Sequence, residues 1–285
     1  MKLVIQHFFD PQTSTLTYVV FDPATRDAIV IDPVWDYDAA SGKMSTGSME
    51  LVVRYIQENH LNPHYVMETH AHADHLSSSQ LFKNYFPNIK VAIGKNITLV
   101  QDTFKKLFHI DDVKIGGADF DKLLNDGEVL IAGSLKIKTL FTPGHTPACS
   151  SYLIEDAIFT GDALFMPDSG TGRCDFPQGS AEDLYESVTQ KIYSLPPTTR
   201  VFVGHDYQPS SRELRFQSTV QEEKEQNIQL RGTTAKEDFI SFRQKRDATL
   251  AAPKLLLPSL QVNIRAGHLP PPEQNGIRYL KLPLR

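Results

Sequence analysis

The sequence predicts an α/β protein, of the α+β kind, in which two β-sheets carry helices on their outer faces. Short apolar runs bounded by turn residues fall in two clusters along the chain, and segments with helical spacing separate and follow them. The chain has 285 residues, enough to bury a sizeable core as one large domain.

Taken in order, Leu3 to Phe8, Leu16 to Phe21 and Asp27 to Ile31 read as strands broken by Asp-Pro and Thr-rich turns. Met1 and Lys2 open the first of them. Pro33 ends the third, because its ring removes a ladder donor. The Gly/Ser-rich stretch 39–48 reads as a loop. Met49, Val52, Val53 and Ile56 then recur at helical spacing as far as Glu58. After Pro63, Tyr65 to Glu68 reads as a buried strand. Ser79 to Phe86 and Ile97 to Phe108 read as helices on either side of a strand at Val91 to Ile93. Glu128 to Ile131, Leu135 to Phe141, Ser150 to Ile154 and Ala157 to Thr160 supply the second set of strands. A helix over 181–194 and a strand at Arg200 to Val203 complete that half. The composition changes near Glu213. Residues 221–230 and 236–246 read as charged surface helices, and the Pro-rich end as irregular chain. The expected organisation is a catalytic domain over 1–212 and an extension over 213–285 packed on it.

The hydrophobic fraction of 40% and charged fraction of 22% are those of an ordinary globular protein. A net charge of -5 gives no reason to expect nucleic acid or an anionic membrane as partner. No apolar run approaches a membrane span, and the N-terminus lacks the apolar stretch of a secretory signal. Two cysteines, Cys149 and Cys174, make a disulfide framework unexpected and the cytoplasm the expected compartment.

Five of the ten histidines sit in three motifs, each directly after an expected strand. His70, His72 and His75 lie in Thr69-His70-Ala71-His72-Ala73-Asp74-His75, His145 in Gly144-His145-Thr146, and His205 in Gly204-His205-Asp206. Asp162 follows a fourth strand in Thr160-Gly161-Asp162. Strand ends hold side chains rigidly at one rim of a sheet, where sites collect. On extended backbone His70 and His72 point the same way, and Asp74 continues the alternation. Imidazole and carboxylate are ligands for zinc, iron and manganese. His7, His60, His64, His109 and His268 have no such context and read as structural or solvated.

His70-Ala71-His72-Ala73-Asp74-His75, Gly144-His145-Thr146, Gly161-Asp162 and Gly204-His205-Asp206 resemble the metallo-β-lactamase superfamily, from Leu3 to about Tyr207. The resemblance implies an αββα sandwich of two mixed sheets with its site at one edge. Thr142-Pro143-Gly144-His145-Thr146-Pro147, Phe159-Thr160-Gly161-Asp162-Ala163-Leu164, Gly172-Arg173-Cys174-Asp175-Phe176 and Gly204-His205-Asp206-Tyr207 resemble more closely the persulfide (sulfur) dioxygenases, the group containing the human ethylmalonic-encephalopathy protein. The tail resembles that of bacterial sulfur-handling relatives. The Met166–Thr171 segment is longer than in the human-type enzyme, and Cys174 stands where Thr is usual. The resemblance implies one iron(II) per chain at His70, His145 and Asp162, with His72, Asp74, His75 and His205 close by but not bound to it. It also implies pairing of two copies.

Two imidazoles and a carboxylate on one face of iron(II) leave positions open for a persulfide and dioxygen. The expected reaction converts glutathione persulfide and dioxygen to glutathione and sulfite. Zinc shares these ligands. Arg173 suits a glutathione carboxylate, or else a surface ion pair. Tyr207 reads as a hydrogen-bonding partner of substrate, or as packing. Asp206 is a candidate to orient His205 or His70, and Cys174 a candidate sulfur carrier if Arg173 favours its thiolate, or else a spectator thiol. The alternative reading is a dinuclear zinc hydrolase of glyoxalase II type acting on a glutathione thioester. His70, His72 and His145 would hold one ion, Asp74, His75 and His205 the other, and Asp162 would bridge. The short Pro-rich tail argues against it. β-Lactam hydrolysis is disfavoured by Asp162, where the lactamases usually carry cysteine, and a non-catalytic metal-binding or sulfur-sensing role by the complete ligand set.

Overall fold

The structure, a computed structural model, describes residues 3–284; Met1 and Lys2, expected to open the first strand, and Arg285 lie outside it. The first sheet takes β1 (Val4–Asp10), β2 (Thr15–Phe21) and β3 (Asp27–Ile31), which pair antiparallel. β4 (Val34–Asp38) and β5 (Lys43–Ser45) form a hairpin whose second strand lies in the stretch read as a loop. Helix α1 (Gly47–Glu58) leads to β6 (Asn62–Glu68), which adds parallel to β3. The two-residue β7 (Leu76–Ser77) pairs with β4, and Ser79–Asn84 is a 3₁₀ turn where a helix was expected. β8 (Lys90–Gly94), α2 (Ile97–Phe108) and β9 (Lys122–Leu124) follow, and the sheet runs β1-β2-β3-β6-β8-β9.

The second sheet runs in chain order through β10 (Val129–Ala132), β11 (Leu135–Phe141), β12 (Ser150–Ile154), β13 (Ala157–Phe159), β14 (Arg200–Phe202) and β15 (Gln217–Thr219). Between β13 and β14, α3 (Ala181–Glu186) passes into a π turn, Ser187–Ile192. The extension adds α4 (Val220–Gln226), α5 (Lys236–Asp247) and α6 (Leu256–Asn263). Helix α6 corrects the expectation of irregular chain: Pro258 is the third residue of the helix, where a missing N–H costs nothing.

Alternation on the first sheet makes the layers. Tyr18, Val20, Ile29 and Ile31 point into a core shared with the second sheet, while Val19, Phe21, Ala28 and Val30 pack against Met49, Val52, Val53 and Ile56 of α1. A sheet covered on both faces reads as continuous apolar runs, as β2 and β3 do. Leu184, Val188 and Phe239 cover the second sheet from α3, the π turn and α5. The result is an αββα sandwich. β3 and β6 run parallel, and so do β13 and β14; β11 shares their direction because it is two antiparallel steps from β13. The chain segments after β3, β6, β11, β13 and β14 therefore leave at one edge of the paired sheets.

The extension is tied to the second sheet through Glu223, a buried carboxyl that accepts from Ser218 Oγ (2.5 Å) and Asn227 Nδ2 (2.9 Å). Burial pushes it up to about 8, from 4.5 when free. Folded Glu223 keeps its proton to higher pH than the unfolded chain does, so its contribution to stability is full below pH 4.5 and is lost as pH rises toward 8. Glu223→Gln should remove that loss: the unfolding midpoint of the variant relative to the parent should rise steadily between pH 5 and pH 8, and a constant offset would refute the assignment.

Candidate metal centre

Each candidate ligand stands just beyond a strand. Thr69 to His75 follow β6, His145 follows β11, Asp162 follows β13 and His205 follows β14. The two sheets are stitched together here: Leu16 N–H donates to the Gly204 carbonyl and Ser150 N–H to the Thr69 carbonyl, both at 2.9 Å. Close approach demands glycine at two places. Gly144 has φ +141°, and a Cβ there would lie 2.4 Å from the backbone of Leu184; Gly161 has φ +51°, and a Cβ would meet Thr69 Oγ1 at 2.5 Å.

The structure gathers the donors in two adjoining groups. Donor atoms of His70, His145 and Asp162 all lie within 4.8 Å of one another, as do those of His72, Asp74, His75 and His205. Asp162 faces both. Its Oδ2 is 4.0 Å from His70 Nε2 and 3.6 Å from His145 Nε2, and its Oδ1 is 3.3 Å from His205 Nε2. Asp74 Oδ2 lies 3.3 Å from His205 Nε2 and 3.6 Å from His75 Nδ1.

Contacts behind the rings fix their tautomers. His145 Nδ1 lies 2.7 Å from the Arg173 carbonyl, which only accepts, so Nδ1 carries the proton and the Nε2 lone pair faces the site. His70 Nδ1 contacts Thr69 Oγ1 at 3.0 Å. Burial first, then the imidazoles of His72 and His145, hold His70 well below the usual histidine range. The atoms His70 Nε2, His72 Nδ1, Asp74 Oδ2, His75 Nε2, Asp162 Oδ1 and His205 Nε2 are buried without a hydrogen-bond partner. Unpaired buried polar atoms are costly and rare. Six such atoms on the imidazoles and carboxylates of two adjoining groups fit bound metal.

Two buried carboxylates set the geometry and were missed as site residues. Asp32, read only as the end of a strand, accepts from Thr69 N–H (2.7 Å) and Thr69 Oγ1 (2.8 Å). Its Oδ1 lies 3.1 Å from His72 Nε2, and Glu68 Oε2 lies 3.4 Å from the same nitrogen. Burial alone would lower the affinity of His72 for a proton, but Asp32 and Glu68 outweigh it and raise it well above the usual range. Asp32 follows β3 as the other motifs follow their strands, and that position was the available signal.

A cavity of about 560 Å³ opens over Asp74, His145 and Asp162. Tyr207 lines it, its ring stacked on that of His205 at 5.7 Å and 11°. Arg173 reaches the cavity and takes the ion-pair alternative, its guanidinium closed on Asp175 through two 2.5 Å bonds and donating to the Ala251 carbonyl at 2.7 Å. Two expectations are corrected. Asp206 orients neither histidine; both of its oxygens are held by Arg212 at 2.7 Å. Cys174 is buried off the cavity, its N–H donating to Asp247 (2.8 Å), and burial raises its thiol despite the neighbouring Arg243. The extension supplies cavity cations that were missed: Arg246 and Lys254 line the mouth and, among the described residues, neither has a carboxylate partner. Their charges lay in a segment read as surface helix and irregular chain. The Met166–Thr171 segment is held by the same extension, through Asn227 Nδ2 to the Gly170 carbonyl (3.1 Å) and Thr171 N–H to Gln229 Oε1 (3.0 Å).

This sandwich and its strand-end donors define a class, and the sequence profile of the Metallo-beta-lactamase superfamily matches residues 10–205. The chain belongs to that superfamily. It is similar to Glyoxylase B2 of Dictyostelium discoideum, with 46% identity over 99% of this chain and 97% of the relative. It is similar also to the mitochondrial persulfide dioxygenase ETHE1 of Homo sapiens, with 30% identity over 93% of this chain and 89% of the relative. The crystal structure of ETHE1 from Myxococcus xanthus superposes with a TM-score of 0.75 at 30% identity, covering 93% of this chain and 100% of that one. Among the described residues no helix is long and apolar enough to cross a membrane.

Both cysteines are free and buried, and burial pushes Cys149 up to about 12. At neutral pH in the folded protein both should react with a thiol reagent about a hundredfold or more slower than after denaturation. Fast labelling of Cys174 in the folded state would restore it as a candidate sulfur carrier.

Proposed function

We propose that the chain oxidises a low-molecular-weight persulfide, glutathione persulfide foremost, with dioxygen at one iron(II) held by His70, His145 and Asp162. One persulfide, one dioxygen and one water give one thiol and one sulfite with its protons; the sulfur–sulfur bond breaks and the terminal sulfur takes the oxygen. The reading is carried by the grouping of the His72 nitrogens. A dinuclear hydrolase needs His72 to give a nitrogen to the ion held by His70 and His145; here its ring lies 4.0 Å from that of His70, yet its Nε2 faces Asp32 and Glu68 and its donors group with those of Asp74, His75 and His205. What remains is two imidazoles and a carboxylate. Iron(II), when bound by such a set, would supply open coordination positions and a redox-active ion through which electrons pass from the persulfide sulfur to dioxygen.

The chain's own residues bind and position. His145 presents Nε2 because Nδ1–H is spent on the Arg173 carbonyl. Phe165 and Tyr207 wall the cavity beside the donors, and Arg246 and Lys254 at its mouth suit the carboxylates of a glutathione conjugate. A cytoplasmic setting agrees with two free cysteines. One observation favours a second reading, the dinuclear zinc thioesterase: the two oxygens of Asp162 face different donor groups, as a bridging ligand must, and the glyoxylase-named relative is the more similar of the two described.

Protein purified without oxygen and loaded with iron(II) should hold one iron per chain, consume dioxygen with glutathione persulfide and release sulfite. Two zinc ions per chain with thioester cleavage and no oxygen uptake would overturn the proposal in favour of the hydrolase. His70→Ala should lose both metal and activity, and His72→Ala should keep most of its iron. The double variant Arg246→Glu, Lys254→Glu should raise KM about tenfold with kcat little changed, the pattern of lost uniform binding.

A further inference from the structure

Thr69 to Ser77 carries four of the seven donors and has almost no regular structure: β7 is two residues long, and His70 to His75 lie outside any helix or strand. Such a segment holds its shape only if its backbone polar groups are satisfied from elsewhere. At its start, Asp32 takes the N–H and hydroxyl of Thr69. At its end the partner is Asn263, the last residue of α6, nearly 190 residues further along the chain. Its Nδ2 donates to the His72 carbonyl and the His75 carbonyl, both at 2.8 Å, and its Oδ1 accepts from Ser77 N–H at 2.8 Å. The amide orientation is forced, because reversing it would set Oδ1 against two carbonyl oxygens. Asn263 is buried. The close seat of the tail is preserved at Gly267, where φ is +87° and a Cβ would lie 2.7 Å from the Ser77 carbonyl.

We propose that Asn263 is a positioning residue of the metal centre: by bonding both carbonyls that flank Asp74 and the N–H of Ser77, it fixes the donor-bearing loop from the extension. It touches neither metal donors nor the cavity and acts only through backbone. The inference rests on the reading that the rim binds a metal through at least one donor of this loop, His70, and not on which reaction follows. The superfamily profile ends at residue 205, so the extension would be part of the site's construction rather than an appendage.

The test compares Asn263→Ala and Asn263→Asp with Gln261→Ala. Gln261 is an equally buried amide on the same helix, but its side chain bonds Leu257 and Lys281 instead of the donor loop. Zinc affinity is measured by competition with a chromophoric chelator, and the ligand field by the visible spectrum of the cobalt(II)-loaded protein. Asn263→Ala should bind zinc about ten- to a hundredfold more weakly, the usual loss for a group that orients ligands, and its cobalt bands should change in intensity. Gln261→Ala should leave both unchanged even if it unfolds at lower temperature. Asn263→Asp keeps the acceptor for Ser77 and loses the donors, so it should behave as the Ala variant; it carries the same reading should the Ala variant not fold. Zinc affinity and cobalt spectrum unchanged in either folded Asn263 variant overturn the proposal, as does an equal loss in Gln261→Ala. Failure of the parent protein to bind zinc or cobalt at all would instead sink the metal reading beneath it.

Discussion

The centre depends on one buried carboxylate. Asp32 sits at the end of β3 in the left-handed region, with φ +50°, and spends its oxygens on Thr69 and His72. An ionised carboxylate this deep is tolerated only when hydrogen-bonded or paired. Meeting that demand joins the first sheet to the donor loop, because Thr69 opens the loop and its carbonyl also receives Ser150 N–H from the second sheet. Asp32 therefore converts a sheet edge into a cradle. His72 lies against that carboxylate and helps to satisfy it.

Around that point the molecule is layered so that ligands never have to be placed by flexible chain alone. Parallel β3 and β6 and co-directional β11, β13 and β14 release their ends at one rim, and hydrogen bonds between the sheets lock the rim together. Asp162, on a 3₁₀ turn that begins with a glycine whose Cβ would crowd Thr69, faces both donor groups. The extension then closes the remaining side, contributing the cavity mouth and the brace on the Met166–Thr171 segment.

Much of this was legible in the sequence because the information is local. β2, β3 and β11 announce themselves by apolar runs or by the alternation of Leu135, Ile137 and Thr139 with Lys136 and Lys138, and the ligand motifs by short spacing after strands. What escaped was short or distant. β9 and β15 are three residues each, too brief for a period to show. The turn and second strand of the β4–β5 hairpin hide in Gly/Ser-rich chain. Helix α6 was masked by Pro258, which sits harmlessly in its first turn. Arg173 was left between substrate and an ion pair because its partner Asp175, two residues away, is a ligand that spacing alone does not choose. The parts played by Glu68 and Arg246 follow from tertiary placement, and no spacing rule reports that.

The link between Asn263 and the carbonyls of His72 and His75 spans 191 and 188 positions of chain. Contacts of such separation form late, since the intervening chain must first be ordered. The donor loop is therefore unbraced until α6 has packed against it, so its final shape belongs to the completed fold and not to the local chain around the histidines.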